Sequence, residues 1–397
     1  MLPLFLCVGV TMVESPRELH TALEEGAAEI AIAPGVFTGN WTVHRPVRIT
    51  GSEGTVLEGT GVGSVLVLNG DDIVVERLAV RHSGRRNTSE DAGIKASGAR
   101  IEISDVVVTD TLFGITLEQC KACVIDRATV IGSPDDPVQG DGIKLWESHG
   151  SAVTRSYVEA SRDVVVWYSR HVRLFGNEVR RSRYGTHFMY VHDIDVSHGT
   201  LVDNVVGVFV MYSSGVHISD SVLAGARGAA GMGLGVKESE DITLDRASIV
   251  ANTTGLYFDR APRVETEPVR VSASLIGLNG VGVRLHSSQK GIELAENDFR
   301  HNTSAIEVEG GGDALGLSVH DNHWSDYEGF DLDRDGKGDV AFEVKALSRA
   351  WTDEQPALAF FKESVAMHAL DVVSQSLPLF ASKLLVRDAA PKMEVRR

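Results

Sequence analysis

The sequence predicts an all-β protein: a right-handed parallel β-helix with a short N-terminal helical cap and a C-terminal helical tail. Three observations predict it. One short motif recurs between Gly142 and Arg260 at intervals of about 20 to 28 residues, the period of an architecture whose units bury their apolar faces only by stacking. Its copies begin at Gly142, Asp163, Gly185, Gly207, Gly231 and Gly255. Within each copy the first and third following residues are nearly all apolar: Ile143/Leu145, Val164/Val166, Thr186/Phe188, Val208/Val210, Met232/Leu234 and Leu256/Phe258. Strand side chains alternate, so these face one core, and the second and fourth face outward. Finally, the chain holds 40 Gly but only 11 Pro, with 43% hydrophobic residues, which suits a turn-rich β protein rather than disorder.

Length and charge set further bounds. At 397 residues the chain can form one large core or two domains. A net charge of −17 argues against nucleic acid as a general partner, because phosphates repel such a surface. No internal run reaches the roughly 20 apolar residues of a membrane span. Leu2–Val10 is a short apolar run without a basic flank or a clear cleavage site, so residues 1–14 are read as a leader or signal-peptide remnant. The cysteines are Cys7, Cys120 and Cys123. The last two form Cys-x-x-Cys, for which a disulfide, a metal site and coincidence on a turn all stay open.

The elements follow in order. Ser15-Pro16-Arg17-Glu18 starts a helix over about Pro16–Glu25, with Ser as N-cap and Pro at the first position; it covers the open end of the stack. Short β runs then fill 30–68, punctuated by Gly, Pro and Asn, and continue through 72–75 and 101–103. Gly93 and Gly114 open earlier repeats, and the polar stretches 81–90 and 133–140 are loops on the outside. Asn204, Asn252, Asn279 and Asn302 each stand three residues before a repeat start, which predicts a ladder of stacked amides. The β-helix spans 15–325. Asp331, Asp333, Asp335 and Asp339, with Gly336 between, match positions of a calcium loop in the segment 326–345; Phe342 stands where the final Glu is needed, so this is not a full EF-hand. The tail, 346–397, opens with the capping box Thr352–Gln355 and places Leu358, Phe361, Val365 and Val372 near one side of a helix that Pro378 stops.

The outward face carries the candidate chemistry. It holds Trp146, Trp167, Phe209, His187, Met189 and Met211 where polar residues are expected. Thioether sulfur with imidazole is a Cu(I)-type ligand set, so His187, Met189 and Met211 are candidate copper ligands. The competing reading is a protein interface centred on Trp146, Trp167 and Phe209. An enzyme reading, a polysaccharide lyase or epimerase, rests on Lys95 and Lys144 at one outward offset, but no tight acid cluster is evident beside them.

A resemblance narrows these choices. Gly140–Trp146, Val164–Asp193, Val210–Ser213, Gly231–Gly235, Asn322–Tyr327 and Pro356–Phe361 look like the NosD family, and the similarity covers about Ser15–Pro391. It implies a periplasmic, non-enzymatic β-helix that works with an ABC transporter in assembling the copper centres of nitrous-oxide reductase. The implied partners are the permease and ATPase subunits, a copper chaperone lipoprotein and the reductase. Leu358, Phe361 and Val365 in the tail are then the expected transporter-docking residues. Cys120-x-x-Cys123 is not a mark of the family.

Overall fold

The computed structural model describes residues 9–133, 138–309, 312–346, 356–361, 364–376 and 383–394. The chain divides into two compact units, Met1–His187 with Val191–Asp195, and Phe188–Tyr190 with Val196–Arg397. Each unit is a parallel β-solenoid, as the repeat predicts.

In the first unit successive turns supply short strands to three parallel sheets. Thr11–Val13 pairs with Glu29–Ile32, so the first strand lies inside the stretch read as a leader; residues 1–8 lie outside the described residues. The helix forms over Pro16–Glu25 as expected. Ser15 Oγ accepts from Glu18 N–H (3.3 Å), and Glu18 reaches back to Glu14 N–H (2.7 Å). Gly26 ends the helix in the left-handed conformation, φ 76°, which a residue with a Cβ adopts only at a cost.

The inward column obeys the predicted parity. Ile94, Ile115, Ile143 and Val164 are register partners in successive turns, and the three isoleucines are fully buried. Lys95, Thr116, Lys144 and Val165 form the neighbouring outward column. The 81–90 insertion folds over that column: Ser89 O lies 3.5 Å from Lys95 Nζ, and Glu90 Oε1 lies 2.5 Å from Lys144 Nζ. Of the second loop, 134–137 lie outside the described residues.

The second unit repeats the plan but corrects one boundary. Val208 pairs with Leu234, Phe209 with Gly235, and Met211 with Lys237. The copy therefore starts at Gly233 rather than Gly231. Alternating glycines hid the start, and a two-residue shift leaves parity unchanged. Met232 pairs with Val206 and is half-buried, so the core column runs through Leu234 and Val236.

The asparagine ladder forms at Asn252, Asn279 and Asn302. Asn252 N–H donates to Asn279 Oδ1 (2.9 Å), and Asn279 N–H to Asn302 Oδ1 (3.1 Å). Asn204 is buried too, but Ala226 stands between it and Asn252 in the stack and interrupts the amides. Ala226 keeps only the backbone part of the pattern, donating its N–H to Asn252 Oδ1 (2.9 Å). A second ladder, which no single offset in the sequence marks, runs Ser274–Asn297–Asn322 at another corner.

That second ladder ends on the tail. The strands Phe342–Ala346 and Lys383–Asp388 pair antiparallel, and Phe342 stacks on Trp324, which stacks on Phe299 (4.6 and 4.2 Å between ring centroids). Buried Asp388 Oδ2 accepts from Asn322 N–H (3.1 Å), Asn322 Nδ2 (3.2 Å) and Trp324 Nε1 (3.0 Å). The end of the tail thus packs back on the last turn. The tail helix spans Val365–Ser376, preceded by a 3-10 segment at Pro356–Phe361; the capping box at 352–355 and Pro378 lie outside the described residues.

Replacing Asp388 by Ala should leave two buried donors, the Asn322 backbone N–H and Trp324 Nε1, without the acceptor they use, while Asn322 Nδ2 keeps the carbonyls of Leu294 and His320. We expect a loss of about 3 kcal/mol in denaturant unfolding, and a smaller loss for Asp388→Asn, which keeps an acceptor oxygen. Equal stability of all three proteins would show that the tail is not the closing element.

Candidate functional site

Aromatic residues open the outward face in the first unit. Trp146 and Trp167 are register partners, both half-buried. His187, in the same unit, was expected on the open face but is buried, because aromatic rings close over it. Its ring meets Trp167 edge-on at 5.5 Å and Tyr184 at 4.8 Å, with Nδ1 3.9 Å from Asp163 Oδ2.

Met189 and Met211 belong to the second unit. Tyr190 N–H donates to Met211 O (3.2 Å), as Tyr212 N–H donates to Lys237 O (3.1 Å) one turn on, where Met211 and Lys237 are register partners. By the same pattern Met189 stands opposite Met211, and both are half-buried. Neighbouring strands lie about 4.8 Å apart, so two flexible thioethers at one register can converge on one ion. The Tyr190 and Tyr212 rings stack beside them at 5.1 Å. Phe209 lies over Gly235: a Cβ there would collide with the ring, so only glycine admits this arrangement. Met232 Sδ lies 3.4 Å from the same point, a third sulfur that parity alone assigned to the core.

A charged cluster in the first unit bears on the expectation that no tight acid cluster lies beside the lysines on the outward face. Lys144 pairs with Glu90 from the overlying loop, and Lys95 pairs with Glu118 (2.9 Å). Parity along strands missed Glu90 because it arrives from the insertion. Nearby, buried Asp141 Oδ1 accepts from Arg162 Nε (2.9 Å), while its Oδ2 is buried without a hydrogen bond among the described residues. Burial pushes the Asp141 carboxyl up to about 6; the Arg162 charge opposes this and Asp163 adds to it. Buried Asp163 is clamped by Arg183, Nε to Oδ1 at 3.0 Å and Nη2 to Oδ2 at 2.5 Å. Burial alone would raise its pKa, but the neighbouring His187 ring, the Arg183 bonds and the Arg162 charge outweigh that and hold it below the usual range. The sequence signal was Asp163 itself, a carboxylate in the slot that glycine fills elsewhere.

In the acidic loop, carboxylate oxygens of Asp331, Asp333 and Asp335 lie within 4.8 Å of one another. Asp331 also accepts from the N–H groups of Arg334 (2.6 Å) and Gly336 (2.9 Å). Asp339 is turned to Leu332 N–H (2.7 Å) and is outside that group. Three of the four expected oxygen donors are therefore together. In the tail, Phe361 and Val365 are exposed (54% and 86%) and Leu358 is half-buried.

A β-solenoid with soft donors on its outer strands defines the class, and the comparisons give the family. Residues 125–329, just over half of the chain, match the model described as "Periplasmic copper-binding protein (NosD)". The chain belongs to the NosD family. It is 27% identical to a "Probable ABC transporter binding protein NosD" of Pseudomonas aeruginosa over 94% of this chain and 89% of that one. A protein of the same description from Stutzerimonas stutzeri is 23% identical, with 94% and 88% covered. Among solved structures, the mannuronan C-5 epimerase AlgE6 A-module of Azotobacter vinelandii superposes with a TM-score of 0.60 at 13% identity, covering 78% of this chain and 94% of that one. A polygalacturonase of Erwinia carotovora gives 0.54 at 11% identity, with 78% and 96% covered. These two likenesses concern the fold. Among the described residues no helix is long and apolar enough to cross a membrane.

The raised Asp141 carboxyl has a consequence for stability. The folded state holds this proton more tightly than the unfolded chain does, so the contribution is full below about pH 4 and is lost as pH rises through 6. The swing is at most about 3 kcal/mol. Unfolding free energies measured from pH 4 to 7 should show a flatter profile for Asp141→Asn than for the wild type; parallel profiles would contradict the assignment.

Proposed function

We propose that this chain is a periplasmic carrier in copper delivery, acting with an ABC transporter in the assembly of the copper centres of nitrous-oxide reductase. Its partners on this reading are the permease and ATPase subunits, a copper chaperone lipoprotein and the reductase. The family description and the names of the two relatives support it. The observation that carries it is the pairing of Met189 with Met211. Two half-buried thioethers at one register, flanked by aromatic rings, offer a soft, deprotonation-free grip on Cu(I).

A carrier also fits the lysines better than a hydrolase or lyase does. Both are held in ion pairs with glutamate, Lys144 beneath a covering loop, so neither stands free as a base. Turnover of an acidic polysaccharide that disappears in Lys144→Ala would replace this reading. The exposed tail residues Phe361 and Val365 are the surface we assign to the permease. Phe361→Ser with Val365→Ser should abolish co-purification with the transporter while the unfolding curve stays unchanged; retained co-purification would place the contact elsewhere.

The ligand assignment is tested by Met189→Leu with Met211→Leu, which keeps apolar volume and removes sulfur. Competition against a Cu(I) chelator should show at least a tenfold weaker affinity, about 1.4 kcal/mol. Unchanged affinity would reduce the patch to a docking surface.

A further inference from the structure

The Cys-x-x-Cys motif has no part in the copper face. Cys120 and Cys123 are both free thiols and both fully buried. They flank one corner of the first unit, between the strands Phe113–Glu118 and Val124–Asp126. Gln119 (φ 53°) and Ala122 (φ 52°) turn the chain there, and Lys121 and Ala122 stand between the two inward thiols.

Isolated bridges Ala99–Lys121 and Lys121–His149 align this corner with those of the turns before and after. Cys120 and Cys123 therefore occupy the places that Ser148 and Ser151 hold one turn on. Those serines are buried as well, and each accepts the backbone N–H of the cysteine aligned with it (3.3 and 3.1 Å). The sulfurs lie under alternate carbonyls at one strand end: Cys120 Sγ is 3.6 Å from Ala96 O, and Cys123 Sγ is 3.7 Å from Gly98 O. The two thiols thus share one enclosed space. Their mutual contact is the foremost influence on the acidity of each, raising Cys120 and lowering Cys123. Among the described residues no third His, Cys, Asp or Glu converges on them, so the pair lacks the ligand set of a closed metal site.

We propose that Cys120 and Cys123 are a redox couple that closes to a disulfide across this corner. The oxidant is a disulfide donor, protein or small molecule. The Cys123 thiolate attacks one donor sulfur, forming a mixed disulfide and releasing the donor's other sulfur as a thiolate. Cys120 then gives up its proton and attacks Cys123 Sγ, releasing the second donor thiolate. Two thiols are oxidised, one donor disulfide is reduced, and the two protons pass to the leaving thiolates. Because both sulfurs are fully buried, exchange needs an open corner, and the bond forms as the chain folds rather than in the folded protein.

The test uses the full chain carrying Cys7→Ser, refolded with glutathione disulfide, with thiols counted in denaturant and the linkage mapped by peptide mass. We expect both thiols to be lost with an intrachain Cys120–Cys123 bond, and in the Cys120→Ser variant a Cys123–glutathione mixed disulfide that no second thiol resolves. That variant places at 120 the residue the next turn already tolerates, so it should fold. The same oxidant added to the already folded, reduced chain should act at least tenfold more slowly. Two free thiols after oxidative refolding would overturn the proposal, as would linkage between chains.

Discussion

In a stacked solenoid each turn is the hydrogen-bonding partner of the next, and the rest of this structure depends on that constraint. Corners have no strand partner, so their buried polar groups must be answered by the turn above or below. Asn252, Asn279 and Asn302 do this with amides, Ser148 and Ser151 with hydroxyls. The constraint also explains how each unit is finished. The last turn of the second unit has no successor, and Asp388 and Phe342 supply the missing acceptor and the missing ring. In the first unit the helix Pro16–Glu25 buries Leu19 and Ala22.

The same geometry builds function by repetition. A residue placed outward in one turn is set beside its equivalent in the next, about 4.8 Å away, without any long-range design. Met189 and Met211 are such a pair, and so are Trp146 and Trp167. The charged cluster arises differently. Asp141, Arg162, Asp163 and Arg183 sit at strand starts and turns, where a buried carboxylate needs an arginine from the following turn. Positions of that kind give stability and a shifted titration, and they also hold Tyr184 and His187 in place.

How much of this was legible follows from which signals are periodic. The inward column, the outward lysines, the helix at Pro16 and the amide ladder recur at a fixed offset or carry a local cap, and each could be read from the chain. What broke the period was missed. Gly231, Gly233 and Gly235 offered three equivalent starts, and only the pairing of Phe209 with Gly235 chose among them. Glu90 reaches Lys144 across 54 residues from an insertion, which no count along a strand reveals. The closing strand Lys383–Asp388 is tied to the stack by tertiary contacts of Asp388 and the burial of Leu385, not by any repeat. Of the candidate copper residues, parity gave the two methionines their common face. The burial of His187 against Trp167 and Tyr184 depends on ring packing that parity does not encode.

Cu(I) held by thioether sulfur of Met189 and Met211 is the claim on which the functional reading turns. X-ray absorption at the copper edge, on the full chain loaded with one equivalent of Cu(I), tests it most directly. Two sulfur scatterers are expected in the first coordination shell. A shell of nitrogen and oxygen alone would contradict it.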